Sequence, residues 1–328
     1  VPQRTEGLTG SQLGNQIVLA WPAPQRNAPD GSVQSIRRVD VYRLAERIDA
    51  PLPLTEEEFG ARSTLIGSVD YETIRSSGDM LTYRDTIQFG GEASRLRYAI
   101  RYVNAEGQRA SFSNFLLIEP TIRVALPPNG LTAQEREDGI ALSWQPPAQN
   151  IEGSTPVNLL GYNVYRISAN DSEDKAVALN SGSVTDTSYL DKNVAFDAPT
   201  RYFVRSVSLG TGGQPVESLN SNLVSVTPRD VYPPSAPTSI TIAAAPGRLS
   251  LFFPANPEAD VAGYNVYRSE DPNLPFERWS KLNVEPITRT TFQDDKVESG
   301  KKYYYYLTAV DKNGNISQRS EVVSETVP

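Results

Sequence analysis

The stretch Gly161-Tyr-Asn-Val-Tyr-Arg166 returns letter for letter at 263–268, and a shorter echo, Val-Asp-Val-Tyr-Arg, occupies 39–43. In an extended chain alternate side chains face opposite sides, so Tyr162 and Val164 share one face while Asn163 and Tyr165 share the other. That alternation reads as a strand, and its recurrence predicts a repeat. The flanks recur as well. Upstream of each copy lies an alternating strand that ends in an aromatic residue followed by proline: IVLAWPAP at 17–24, IALSWQPP at 140–147 and LSLFFPAN at 249–256. Downstream come LTYRD at 81–85, TSYLD at 187–191 and TTFQD at 290–294, and then a tyrosine-rich strand: LRYAIRYV at 96–103, TRYFVRSV at 200–207 and KKYYYYLTAV at 301–310. Each copy closes on a Ser/Asn-marked turn and a last strand: FSNFLLIEP, LNSNLVSVTP and QRSEVVSETVP. Tyr98, Tyr202 and Tyr305 set a period of about 100 residues, the size of one small sandwich rather than of a solenoid unit.

Helical periodicity is nearly absent, and Pro-rich junctions at 119–130 and 227–237 separate the copies. Proline there ends strands and stiffens the connection. The predicted architecture is all-β, with domains at 1–125, 126–229 and 230–328. The interval from Tyr42 to Tyr98 exceeds the matching intervals in the other copies, which places an insertion at about 44–80 in the first domain. Within it, Thr55 and Glu58 have the spacing of a helix capping box.

Taken together these motifs resemble fibronectin type III domains of the bacterial kind, closely in the second and third copies and less so in the first. The resemblance implies three tandem immunoglobulin-like β-sandwiches. It puts Tyr162 and Val164 inward against Trp144 of the facing sheet, with Trp21 and Phe253 in that role in the other copies. It also makes Tyr303 the corner tyrosine whose hydroxyl bonds back to the chain, a device with no counterpart at Leu96 or Thr200.

Composition restricts the chemistry. The 328 residues contain no cysteine and no histidine, which removes thiol nucleophiles, disulfides, His–Cys metal sites and Ser-His-Asp triads. The net charge of −8 argues against a nucleic-acid partner. Adjacent acids such as Asp294 and Asp295 sit in loops and do not imply the opposed carboxyls of a glycosidase. DKNGN at 311–315 departs from a calcium loop in its glycine position and in Val322 at the twelfth place, and reads instead as a hairpin with a two-residue Asn-Gly turn. Calcium held through Asp230, Asp260 or Asp311 is a further option. No cofactor or catalysis is expected.

The expected function is a non-catalytic extracytoplasmic interaction or scaffold protein that mediates protein–protein contacts at a bacterial envelope. A structural subunit of a multiprotein membrane complex and a carbohydrate-binding accessory module of a secreted enzyme are the alternatives. The expected partners are proteins, membrane-embedded ones included, with glycan as a further class. No 18-residue apolar run spans a membrane, and Val1 followed by a polar stretch is compatible with a lipidated Cys just upstream. The first domain carries fourteen arginines and no lysine, and its 51–80 segment is the expected contact loop. The candidate contact residues there are Arg37, Glu56, Glu57, Glu58, Phe59, Arg62, Tyr71 and Arg75. Tyr42, Tyr165 and Tyr267, with Arg101, Arg205 and Tyr306 on the neighbouring strand, form an outward row. Either Tyr–Arg stacking or a binding strip would explain that row.

Overall fold

The computed structural model describes residues 1–25, 33–70, 72–73, 79–88 and 94–328. The chain divides into two compact units, Val1–Pro228 and Arg229–Pro328. Both are all-β, built of sheets that face one another across apolar cores in the manner of a β-sandwich. Among the described residues no helix is long and apolar enough to cross a membrane.

The first unit begins with β1 (Thr9–Leu13), β2 (Gln16–Pro22), β3 (Ile36–Arg47), α1 (Glu56–Arg62), β4 (Thr64–Asp70), β5 (Met80–Thr86), β6 (Ser94–Asn104) and β7 (Leu116–Ile118). One sheet has the order β4-β3-β6-β7, and β1-β2-β5 lies against it. The unit continues with β8 (Asn129–Arg136), β9 (Gly139–Gln145), β10 (Gly161–Ser168), β11 (Val177–Ala178), β12 (Ser188–Asp191), β13 (Thr200–Leu209), β14 (Pro215–Glu217) and β15 (Val224–Val226). Here β12-β9-β8 faces β11-β10-β13, with β14 and β15 also paired to β13. The second unit holds β16 (Thr241–Ala245), β17 (Arg248–Phe252), β18 (Val261–Ser269), β19 (Ser280–Lys281), β20 (Thr291–Asp294), β21 (Lys302–Asp311) and β22 (Val323–Thr326). Its sheets are β16-β17-β20 and β19-β18-β21-β22.

The inward residues of facing sheets make three apolar clusters. Trp21 packs with Leu19, Val39, Val41, Tyr98 and Ile100. Trp144 packs with Tyr162, Val164, Tyr202 and Val204, and Phe253 with Tyr264, Val266, Tyr305 and Leu307. Trp144 meets Tyr162 edge to face with ring centroids 5.3 Å apart, and Phe253 meets Tyr264 at 4.8 Å. Such pairs add about 0.5–1.5 kcal/mol to the burial of their rings. The hydroxyl of Tyr303 accepts from the Glu298 N–H at 3.1 Å, five residues upstream.

Within the first unit one sheet crosses from one core to the next. β1 pairs with β14 in parallel through Leu13 and Glu217, and the Gly14 N–H donates to the Glu217 carbonyl at 2.7 Å. The Gln12 side chain donates to the Thr121 carbonyl and accepts from its N–H, at 2.8 and 2.7 Å. The eight-stranded sheet β11-β10-β13-β14-β1-β2-β5, with β15 beside β13, results. A Cβ on Gly14 would stand 2.9 Å from Leu219 Cγ, so the approach needs a residue without one.

The hairpin at 311–315 differs from the expected two-residue turn. The Asp311 N–H donates to the Asn315 carbonyl and the Gly314 N–H to the Asp311 carbonyl, so the loop is three residues long. Gly314 is in the left-handed region at φ +87.

Candidate functional site

The letters shared by all three copies assemble a buried polar device. In the first core Arg43 Nη1 donates to both Asp85 oxygens, at 3.0 and 2.8 Å, and the Tyr98 hydroxyl donates to Asp85 Oδ2 at 2.7 Å. Arg166 and Tyr202 converge on Asp191 Oδ2 at 2.8 and 2.9 Å. Arg268 and Tyr305 do so on Asp294 Oδ2, both at 2.8 Å. The backbone N–H groups of Asn193 and Lys296 occupy the other oxygens of Asp191 and Asp294. Burial first, and the neighbouring carboxylate second, push the Tyr98, Tyr202 and Tyr305 hydroxyls well above the usual tyrosine range, so they remain donors. A buried carboxylate that accepts three internal hydrogen bonds suits structure rather than proton transfer. Sequence reasoning missed this device because it assigned the repeated strand to apolar packing. The signal was present in the closing Arg of VYR and the closing Asp of YRD, YLD and FQD.

The outward tyrosines are covered, each by a different arrangement. Tyr165 stacks on Phe203, its partner across the strand pair, with centroids 4.9 Å apart and planes 13° apart. The Arg205 guanidinium lies 4.8 Å from the Tyr165 centroid and 5.1 Å from that of Phe203. Glu217 closes the set: Tyr165 donates to Oε1 at 2.6 Å and Arg205 to Oε2 at 2.9 Å. Burial and then Glu217 push the Tyr165 hydroxyl up to about 12. In the second unit Tyr267 stacks on Tyr306 at 4.6 Å, and Phe276 and Trp279 pack on the Tyr306 ring at 5.3 and 5.2 Å. In the first copy Tyr42 meets Phe112 edge to face at 5.1 Å, and Arg101 lies over Phe112 at 4.3 Å. Arg101 also donates to the Ala110 carbonyl at 2.8 Å. Phe112, Phe203, Phe276 and Trp279 are the ring members the sequence row lacked.

Among the described residues of the 51–80 segment, the helix α1 and the strand β4 are tied to the fold. Thr55 caps α1, with its side chain accepting from the Glu58 N–H at 3.2 Å and the Glu58 carboxylate accepting from the Thr55 N–H at 2.9 Å. Those Thr55 bonds hold the Glu58 carboxyl below the usual range. Phe59 is fully buried, in a small core with Leu44, Ala99 and Phe112, so it is unavailable to a partner. Glu56 is exposed but accepts from the Phe112 N–H at 2.9 Å. Beneath the segment the buried Glu46 carboxylate is 3.0 Å from Arg97 and 3.7 Å from Arg95, with Arg62 at 3.9 Å. The chain then enters β4, which pairs with β3. Arg37 and Glu57 are exposed, and Tyr71 and Arg75 lie outside the described residues. Of the described candidates in this domain, Phe59 alone is withdrawn into a core, and Arg37, Glu56, Glu57, Glu58 and Arg62 are exposed.

The carboxylates of Asp230, Asp260 and Asp311 each offer an oxygen within 4.8 Å of the others, and oxygen ligands of this kind could hold a calcium-like cation. Two of them already have internal donors. Asp311 accepts from the N–H groups of Asn313 and Asn315 and from the Asn315 amide, and Asp230 accepts from the Asn313 amide at 2.7 Å.

No family model matches the chain. Among curated proteins it is similar to an amylopullulanase of Thermoanaerobacterium saccharolyticum, 33% identical over 98 residues that make up 30% of this chain and 7% of that protein. An amylopullulanase of Thermoanaerobacterium thermosulfurigenes is 28% identical over 149 residues, 44% of this chain and 7% of that protein. Exoglucanase B of Cellulomonas fimi is 26% identical over 204 residues, 61% of this chain and 16% of that protein. The chain thus corresponds to a small part of the length of each of these relatives. Among solved structures it is similar to the crystal structure of chicken CNTN1 FN1-FN3 domains, at 12% identity and a TM-score of 0.30 over 99% of both chains.

Proposed function

We propose that the chain is a non-catalytic accessory region of a larger extracytoplasmic enzyme that acts on glycans, made of three consecutive fibronectin type III-like sandwiches at about 1–125, 126–229 and 230–328. The observation that carries this reading is the company the chain keeps. Proteins named for different polysaccharides, amylopullulanase and exoglucanase, are similar to it over only 7% and 16% of their lengths. A stretch common to enzymes of different specificity is suited to a role separate from bond cleavage, such as presentation of the catalytic domain or contact with the polymer. The partnered state of Asp85, Asp191, Asp294, Glu46 and Glu217 supports the non-catalytic part, because a carboxylate committed to internal donors is not presented to a substrate as acid, base or nucleophile. This reading takes the place of the envelope scaffold as the main function.

An antibody raised against the chain tests it on the native polypeptide. The expected band is much larger than 36.0 kDa and coincides with polysaccharide hydrolysis in a zymogram, while the 328-residue chain alone hydrolyses neither starch nor glucan. A native polypeptide of the chain's own size that extracts with integral membrane proteins would overturn the proposal in favour of a membrane-complex subunit.

A further inference from the structure

The last turn of each copy reaches across to the first strand of the same core, and it does so differently in the second unit. In the first core the Asn114 side chain accepts from the Leu8 N–H at 3.0 Å and donates to the Leu8 carbonyl at 2.9 Å. In the next, Asn222 makes the same two-way clasp with Leu131, at 2.9 Å in both directions. The Ser before each asparagine fixes the register: Ser113 accepts from the Ile100 N–H, Ser221 from the Val204 N–H and Ser320 from the Leu307 N–H. The residue after Ser320 is Glu321. A carboxylate accepts but cannot donate, and no hydrogen bond joins Glu321 to Ile240, the counterpart of Leu8 and Leu131.

The consequence is an open groove where the other cores are shut. Leu8 and Leu131 are 2% and 3% exposed, while Ile240 is only partly buried. A cavity of about 470 Å³ lies between Ala236–Ile240 and Arg319–Val323, within the roughly 300–1,000 Å³ range of small-molecule clefts. The side chains of Thr238, Ser239 and Glu321 on its walls are exposed and make no hydrogen bond or ion pair. The exposed Arg319 is held by a ring rather than by an acid, with its guanidinium 3.9 Å from the Phe276 centroid. Ser239 adds a second departure. It adopts φ +53, the conformation that Gly130 adopts at φ +60 at the equivalent place. That conformation is uncommon for any residue but glycine. The second unit therefore puts a hydroxyl on the groove at the position where the preceding copy has none.

We propose that this groove binds a neutral polyhydroxyl ligand, a short stretch of glycan chain, in place of the missing asparagine clasp. Glu321 supplies an acceptor, Arg319 donors, and Thr238 and Ser239 both. The formal charges of Arg319 and Glu321 cancel, which favours a neutral partner. Vicinal hydroxyls donate and accept at once, as the lost carboxamide did, so they satisfy both kinds of group. The choice of glycan rests on the accessory-region reading above.

The test is a titration of the isotope-labelled 328-residue chain with maltotriose and with cellotriose, followed by amide chemical shifts. Saturable shifts confined to 236–240 and 319–323, with a Kd of about 1 mM or tighter, are the expected result for at least one sugar. Glu321→Asn should rebuild the clasp, protect the Ile240 amide from exchange and weaken binding at least about tenfold. Arg319→Gln should weaken it by a similar factor without closing the groove. No saturable shift at about 50 mM sugar, or unaltered affinity in both variants, would overturn the groove proposal. That failure is separate from failure of the accessory reading, which shows in the size and activity of the native polypeptide and not in this titration.

Discussion

The outer face of β3 and β6 and the outer face of β18 and β21 begin from similar strands and are covered in different ways. Over β3 and β6 lies an insertion with its own helix, one fully buried phenylalanine and a carboxylate shared by arginines. Over β18 and β21 lie a single helical turn at Phe276–Arg278 and a ring cluster around Tyr306. The difference shows where variation is tolerated in this architecture. The inward half of the strand repeat is held by the facing sheet, while the outward half is free to take whatever cover the connecting segment supplies. The first copy made that cover into a second small core with buried ions.

The comparison predicts a graded set of losses. Phe59→Ala removes the centre of the small core and should cost about 3–5 kcal/mol in urea unfolding. Phe276→Ala, at a half-buried ring, should cost about 1–2 kcal/mol. Equal losses would mean that the two covers are equivalent. Glu46→Gln leaves the Arg95 and Arg97 guanidinium groups buried without their counter-ion and should cost about 3 kcal/mol, a loss reduced by high salt less than that of a surface pair. Thr55→Ala removes the cap of α1 and should cost about 1 kcal/mol, seen as faster amide exchange in 56–62 before global unfolding. Tyr165→Phe should be the mildest change at neutral pH and distinctive in alkali. Its folded pKa of about 12 lies above the 10.0 of a free tyrosine, so its contribution is complete below pH 10 and is lost as pH rises towards 12. The variant should lose less stability over that window than the parent, and parallel profiles would exclude Tyr165 as a source of the alkaline loss.

Much of the fold was legible in the sequence because period-two alternation and bulky aromatic letters report packing directly. Alternation put Tyr162 and Val164 on one face. The resemblance to fibronectin type III domains implied that this face turns in against Trp144, with Phe253 in the matching place, as the ring pairs Trp144–Tyr162 and Phe253–Tyr264 show. The Asp191 and Asp294 devices were not legible, since alternation places residues on a face and says nothing of an ion pair buried beside an apolar core. The capping box at Thr55 was readable from spacing. The burial of Phe59 was not, because a seven-residue helix is too short to show a periodic face. The groove was the least accessible. Its letters, Asn114, Asn222 and Glu321, stand in matching turns, but their meaning depends on a backbone amide more than 80 residues earlier in the chain.

The rung between Leu13 and Glu217 has a consequence for synthesis. Its partners are about 200 residues apart, so at translation rates of roughly 5–20 residues per second β1 waits on the order of 10–40 seconds for β14 to emerge. During that time an open strand edge is offered to any neighbouring nascent chain. The composition of β1, Thr-Gly-Ser-Gln-Leu, gives such a neighbour little apolar surface to hold, which lets the edge stay vacant until its own partner arrives.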